Sequence, residues 1–282
     1  MNLMGIDIGT SGCKAAVFDA KGVLLALDYR EYDIIRSLPG QAELDCTEVW
    51  DKICQVTASC STKVKEIKAV SVTSMGEAMV PVDRKGTICG TSILGADTRG
   101  IKYLDKLTVA IPADEIYQIT GQPARAGYAL PNLCRIKNEE PELYRRTFKF
   151  LTWADFVAYM LTGKMHTNYP LATRTLFFDH RKCCWSQDIA VVTGFDLEKL
   201  PPPLPSGTLL GQITHAMSRK LGLPQGLQVV SGSHDQCAAV IGAGISEAGT
   251  AMLGLGTYAC MVIINSESGV DSTVSEQSLN IE

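Results

Sequence analysis

Apolar residues from 3 to 8 are interrupted only by Gly5 and Asp7, and the run ends at Gly9-Thr10-Ser11-Gly12. A returning run covers 14–19, and after the turn Ala20-Lys21-Gly22 a third covers 23–27. Short runs parted by glycine turns predict three strands in a meander. Asp45 and Glu48 have the spacing of a capping box, and Val49, Trp50, Ile53 and Val56 then recur at helical intervals. Strands are expected at 67–73 and Met79–Val82, and helices at 132–139 and 153–161, the latter ended by Gly163 as a C-cap. Residues 201–205, Pro-Pro-Pro-Leu-Pro, predict a stiff surface connection. A helix over 213–221, a strand over 227–230 and a short helix over 235–241 complete the pattern, with Gly242 and Gly244 closing the last. Strands mixed with helices in this order predict an α/β domain.

Residues 252–264 echo residues 4–17, since each reads as a strand, a Gly-Thr turn and a second strand. A repeat at this distance suggests a duplicated domain whose second copy starts near residue 250. The expected organisation is therefore a first domain over 1–246 and the opening strands of a truncated second one over 247–282.

Composition narrows the class. The chain has 282 residues, 46% of them apolar, and a net charge of −4 with no Lys/Arg block. A partner such as nucleic acid or an anionic membrane calls for a basic face, so neither is expected. None of the ten cysteines forms a C-x-x-C pair, the N-terminus lacks a signal-peptide layout, and no apolar run nears the roughly 20 residues of a spanning helix. These features fit a cytoplasmic enzyme with reduced thiols, and leave open a homodimer.

Four segments could carry chemistry. In Asp7-Ile8-Gly9-Thr10-Ser11-Gly12-Cys13-Lys14 the glycines allow close backbone approach to a phosphate, and Thr10 and Ser11 add hydroxyl donors. Asp7 ends an apolar strand, where a carboxylate needs a partner such as hydrated Mg²⁺; the plainer reading is a hairpin with a satisfied Asp. In Ser231-Gly232-Ser233-His234-Asp235-Gln236, Asp235 opens a helix. There it is either a cap or a general base toward a substrate hydroxyl, kept ionised by the helix N-terminus. Gln236 beside it can donate and accept toward sugar hydroxyls. The repeat turn, with Gly256 and Thr257, is a second phosphate cradle or a plain hairpin. Finally Ser74-Met75-Gly76-Glu77-Ala78 and Asp97-Thr98-Arg99 follow apolar runs, where loops carry polyol-reading side chains or simply solvated charges. The small residues flanking Glu77 predict room for a ligand beside its carboxylate. His166, His180 and His215 have no metal-ligand spacing, and neither a Walker A sequence nor G-x-G-x-x-G occurs.

Taken together, Gly5-Ile6-Asp7-Ile8-Gly9-Thr10-Ser11, Ser233-His234-Asp235-Gln236 and Gly254–Thr257 resemble, in order and spacing, the motifs of the FGGY family of carbohydrate kinases, as do Gln41-Ala42-Glu43 and the Glu77 loop. The resemblance implies a ribonuclease-H-like, actin-like ATPase fold, with a mixed sheet flanked by helices, in a two-domain clamp around sugar, ATP and Mg²⁺. It implies that Asp235 is the catalytic base and that Asp7 helps hold the hydrated metal. Gly9, Thr10, Ser11, Lys14, Gly256 and Thr257 would lie near phosphates, and Met75, Glu77, Asp97, Arg99 and Gln236 near a sugar or polyol. Gly76 departs from the histidine of xylulokinases and the arginine of glycerol kinases, Gly95 from a common tryptophan, and Pro131–Arg135 from the usual lysine and tryptophan. The expected function is ATP-dependent phosphorylation of a sugar or polyol hydroxyl, xylulokinase-like, this chain being the N-terminal portion. A non-catalytic actin-like sugar sensor is the alternative.

Overall fold

The structure, a computed structural model, describes residues 1–255, 259–265 and 279–281. Its main sheet begins with β1 (Asn2–Ile8), β2 (Gly12–Phe18) and β3 (Leu24–Glu31), each antiparallel to the one before. β3 runs four residues past the expected end at 27 because Gly12 at the start of β2 pairs with Glu31. After β4 (Glu43–Leu44) comes α1 (Cys46–Lys63), whose N-cap Asp45 accepts from the amides of Thr47 and Glu48. β5 (Ile67–Ser74) then lies parallel to β1 on the side away from β2. The late strands Gln228–Val230, parallel to β5, and Leu209–Gln212 complete a six-stranded mixed sheet.

A smaller antiparallel sheet is formed by β4, β6 (Met79–Val82), β7 (Ser92–Ile93) and β8 (Lys149–Thr152). Helices α2 (Ile101–Ala110), α3 (Ala113–Thr120), α4 (Ala129–Glu139) and α5 (Pro141–Arg146) lie between β7 and β8. α4 starts three residues before the expected 132 because Pro131 falls in its first turn, where a missing N–H costs nothing. α6 (Trp153–Thr162) ends at Gly163 in the left-handed conformation, as the C-cap requires.

Alternation sorts the main sheet into faces. Met4, Ile6, Ile8, Val17, Val70 and Val72 point to one side and are covered by α1 and α6, where Trp50 and Trp153 each meet Phe156 edge-on. Met79, Ile93 and Phe150 of the small sheet share a second core with Leu104, Leu107, Leu130 and Leu133.

The proline segment departs from expectation. Pro203–Leu204 is a short strand parallel to Thr167–Asn168, the Pro202 carbonyl accepts from the Thr167 amide, and Pro201 is buried. Its carbonyls, which proline keeps, pair inward, so it is built in and not merely a surface link. The helix expected over 213–221 starts at His215, because Ile213 donates to the Leu227 carbonyl and Thr214 caps the helix. The repeat region gives an antiparallel hairpin, Ala251–Leu255 with Ala259–Ile263, separate from the six-stranded sheet. Gly256 and Thr257 lie outside the described residues.

Candidate active site

β1, β5 and Gln228–Val230 are parallel and adjacent, so their carboxyl ends open on one edge of the sheet, where α/β folds place ligands. β1 delivers Asp7. Its register partner on β2 is Lys14, and the Lys14 ammonium meets Asp7 Oδ2 at 2.9 Å. That pairing raises the Lys14 pKa. Asp7 Oδ1 is buried and has no partner. The following turn is closed by Gly9 N–H on the Gly12 carbonyl at 2.9 Å, and the buried Tyr32 hydroxyl donates to the Gly9 carbonyl at 2.5 Å. Thr10 and Ser11 stand exposed at its tip.

From β5 the chain passes Ser74, whose hydroxyl accepts from the Ala154 amide, and Met75, whose N–H bonds the Ile8 carbonyl at 3.0 Å. The Met75 side chain belongs to the main core and is 7% exposed, so it offers a ligand almost nothing. Glu77 follows, half-buried. The room expected beside it is taken by Arg174, for a Cβ at Gly76 would run into the Arg174 side chain. The Arg174 guanidinium meets Glu77 Oε2 at 3.3 and 3.4 Å and lies 4.7 Å over the Tyr128 ring. A Cβ at Gly95 would in turn crowd Glu77 Oε1 at 2.8 Å. Gly76 and Gly95 thus give their space to the Arg174–Glu77 pair.

The third strand leads through Gly232, where any Cβ would overlap the Val72 carbonyl oxygen, to Ser233, whose carbonyl accepts from Thr73 Oγ1 at 2.8 Å. His234 bridges to Ser74 and is the N-cap of the helix Asp235–Gly242, with no side-chain cap bond. Asp235 is therefore the first helical residue and not the cap. Its Oδ1 lies 3.1 Å from His234 Nε2, yet is buried without a hydrogen-bond partner. Burial pushes the Asp235 carboxyl above the usual carboxylate range; the charges of Asp7 and Glu77 push the same way, against His234 and the Gln236 amide. Burial thus works against the helix N-terminus, which alone would hold the carboxyl low. Asp7 and Glu77 are near enough for their charges to act on Asp235, and Gln236 beside it is half-buried.

Asp97 and Arg99 are used differently from the expectation. Asp97 is buried, with its oxygens taken by the Ala42 amide at 2.9 Å and by the Arg99 amide and guanidinium at 2.6–3.0 Å. Arg99 also pairs with Glu43. Burial alone would raise Asp97, but these donors outweigh it and hold its carboxyl below the ordinary range. A carboxylate so engaged pins the Gly40–Ala42 and Gly95 loops and has no oxygen left for a ligand. Arg174, Tyr128 and Tyr32 were not singled out in the sequence, and Glu43 only as part of Gln41-Ala42-Glu43. Gly76 and Gly95, small residues where bulky ones are usual, are the sequence signals that something else fills that space.

Among the described residues, no three His, Cys, Asp or Glu side chains stand close enough to hold a metal ion together. The unpartnered Asp7 Oδ1 fits a cation that takes its other ligands from water and phosphate.

The model of the FGGY family of carbohydrate kinases, N-terminal domain, matches residues 2–242. Curated relatives include the xylulose kinase of Bacillus subtilis (strain 168), 27% identical over 95% of this chain and 54% of that protein. The autoinducer-2 kinase of Yersinia pestis bv. Antiqua (strain Angola) is 31% identical over 91% of this chain and 50% of its own. Among solved structures, a xylulose kinase from Rhodospirillum rubrum superposes with a TM-score of 0.91 at 24% identity, covering 96% of this chain and 57% of that one. A gluconate kinase from Lactobacillus acidophilus gives 0.90 at 22%, covering 97% and 56%. The chain spans about half the length of the relatives it matches.

Proposed function

The chain belongs to the FGGY family of carbohydrate kinases, and from that premise we propose that it is the sugar-binding portion of an enzyme that transfers phosphate from ATP to a hydroxyl of a sugar or polyol. The observation that carries the reading is three carboxylates at or just past three parallel strand ends, two of them with buried oxygens that make no hydrogen bond. Such oxygens are costly unless a ligand completes them.

In this reading Asp235 accepts the proton of the attacking hydroxyl. Its raised pKa makes it a better proton acceptor than an ordinary surface aspartate, while phosphoryl transfer asks mainly for orientation and charge neutralisation. Glu77, oriented by Arg174, and Gln236 hold neighbouring hydroxyls. Thr10 and Ser11, exposed on the turn that Tyr32 braces, and Lys14 face the phosphates of ATP. Asp7 is the residue that fits hydrated Mg²⁺, which when bound neutralises phosphate charge. Asp97 and Arg99 fix the loop that carries Gly95, which packs on Glu77. Residues 1–246 would form the sugar-binding half, and 247–282 the start of the nucleotide-binding half with Gly256 and Thr257. The ten free cysteines suit a reducing, cytoplasmic setting. The partner is a small molecule and not nucleic acid. Among the described residues no helix is long and apolar enough to cross a membrane.

A thermal-shift screen of pentuloses, hexoses, polyols and aldonic acids tests the reading, because a ligand of the folded state raises its melting temperature. At least one of these is expected to raise it, and Glu77→Ala to abolish the shift. If none does, and the longer protein consumes no ATP with any of them, the reading fails.

A further inference from the structure

β6 runs from the Glu77 loop to the turn at residues 83–86, and its last residue, Val82, pairs with Lys149 at the start of β8. This far end of the small sheet opens into a cleft of about 640 Å³, within the range of small-ligand sites. Six cations line it, Arg84, Lys85, Arg145, Arg146, Lys149 and Lys199, against three carboxylates. In a chain with 30 acidic and 26 basic residues, that is a local reversal of charge.

The carboxylates offset it only in part, being three against six. Asp83 accepts from the amides of Lys85 and Thr87 at 2.8 and 2.9 Å, and Asp196 from the amide of Glu198 at 3.0 Å, so these two are held by the backbone and not by the cations. Arg145 pairs with Glu142, but among the described residues none of the other five cations forms an ion pair. Neutral groups hold them in place. Lys149 donates to the Leu200 carbonyl at 2.9 Å, Lys199 to that of Thr147 at 2.5 Å, and Arg146 to that of Cys89 at 3.2 Å. Arg84 lies 4.6 Å over the Phe148 ring and Lys199 4.6 Å over that of Tyr144. Burial lowers the pKa of Lys149, against Glu198 and Asp196, and that of Lys199, where the charges of Arg84 and Lys149 act the same way against Asp196. Positive groups fixed together in excess over their counter-charges are relieved by an anion.

We propose that this cleft is a binding site for a small metabolite carrying two phosphate groups, separate from the strand-end site. Two phosphates match a spread of cations that one would not engage. Arg84 and Lys199 already lie over a face of the Phe148 and Tyr144 rings, which disfavours base stacking there and argues against a nucleotide or single-stranded nucleic acid.

The test is calorimetric titration of the protein with inorganic pyrophosphate at constant ionic strength and without metal. One site is expected. The double variant Arg84→Ser/Arg146→Ser, both exposed positions, is expected to weaken binding roughly tenfold or more while keeping its unliganded melting temperature. Thr10→Val, which alters the phosphate turn at the other site, is expected to leave it unchanged. Inorganic phosphate is expected to bind at least about tenfold more weakly than pyrophosphate. No binding, equal binding by the double variant, or loss in Thr10→Val would overturn the proposal, and equal affinity for the two anions would overturn its two-phosphate requirement.

Discussion

Asp235 differs from an ordinary helix-opening aspartate in having no cap role and in a buried Oδ1 that makes no hydrogen bond, only a 3.1 Å contact with His234 Nε2. Asp235→Asn in the longer protein is expected to lower kcat by about 10²–10⁴-fold with sugar affinity nearly kept, since the amide keeps the shape but cannot take the proton. Steady-state rates alongside sugar titration check this, and a drop below tenfold would return Asp235 to a structural role. Because its carboxyl is raised, the basic form is lost earlier as pH falls, so the acid limb of kcat/KM should lie above the range of ordinary carboxylates. Glu77→Ala should weaken sugar about ten- to a hundredfold, the consequence of leaving desolvated hydroxyls unpaired. Nucleotide binding should be spared, and calorimetry of both ligands distinguishes the two. Asp155, fully buried on α6, is raised by burial from 3.8 to about 7, and its Oδ2 lacks a partner. Between those values the folded chain holds a proton that the unfolded chain has released. Stability should therefore fall as pH rises from about 4 to about 7 and then level off. Asp155→Asn should flatten that slope and stabilise the protein at pH 8, as denaturant titrations at several pH values would reveal.

Between residue and domain stand the junctions that aim these side chains. The segment that bears Asp235 turns from strand to helix across Gly232, pressed against the backbone of β5. Gly232→Ala must push two parallel strand ends apart, at a cost of about 1–3 kcal/mol, and should displace Asp235 as well. The variant is expected to melt lower and, in the longer protein, to lose turnover. A melting curve that matched wild type would mean the junction relaxes freely. The α1 cap is a purely structural counterpart. Asp45→Ala removes two amide partners and should cost about 1 kcal/mol with sugar affinity unchanged.

At the scale of the molecule, the two cores divide the labour. The six-stranded sheet with α1 and α6 fixes the strand ends, while the small sheet and its helices carry Arg174 and Tyr128 to the Glu77 loop. The described tail returns to the same neighbourhood, for the Asn280 side chain accepts from the Tyr128 hydroxyl at 3.0 Å and Ile281 donates to the Gly121 carbonyl at 2.9 Å. With about half the length of its relatives, the 282-residue chain is expected to bind sugar but to show little or no ATP consumption. Holding donor and acceptor in line is worth several kcal/mol that an incomplete clamp cannot supply. Robust turnover in a coupled ADP assay would contradict this.

Local rules settled the strands of the meander, α1 and its cap, α6 and its glycine stop, and the position of Asp7 and Asp235 at strand and helix ends. Each depends on periodicity, capping or turn chemistry within a few residues, so each is written in a short stretch of chain. The partnerships were not. That Asp97 spends both oxygens on Ala42 and Arg99, that Met75 turns into the core, and that Arg174 fills the gap at Gly76 are contacts between distant segments. So is the upward shift at Asp235, where a helix terminus alone would act downward. Burial and two carboxylates from other strands oppose it, because desolvation and charge proximity depend on which strand ends meet in space and not on what stands beside a residue in the chain.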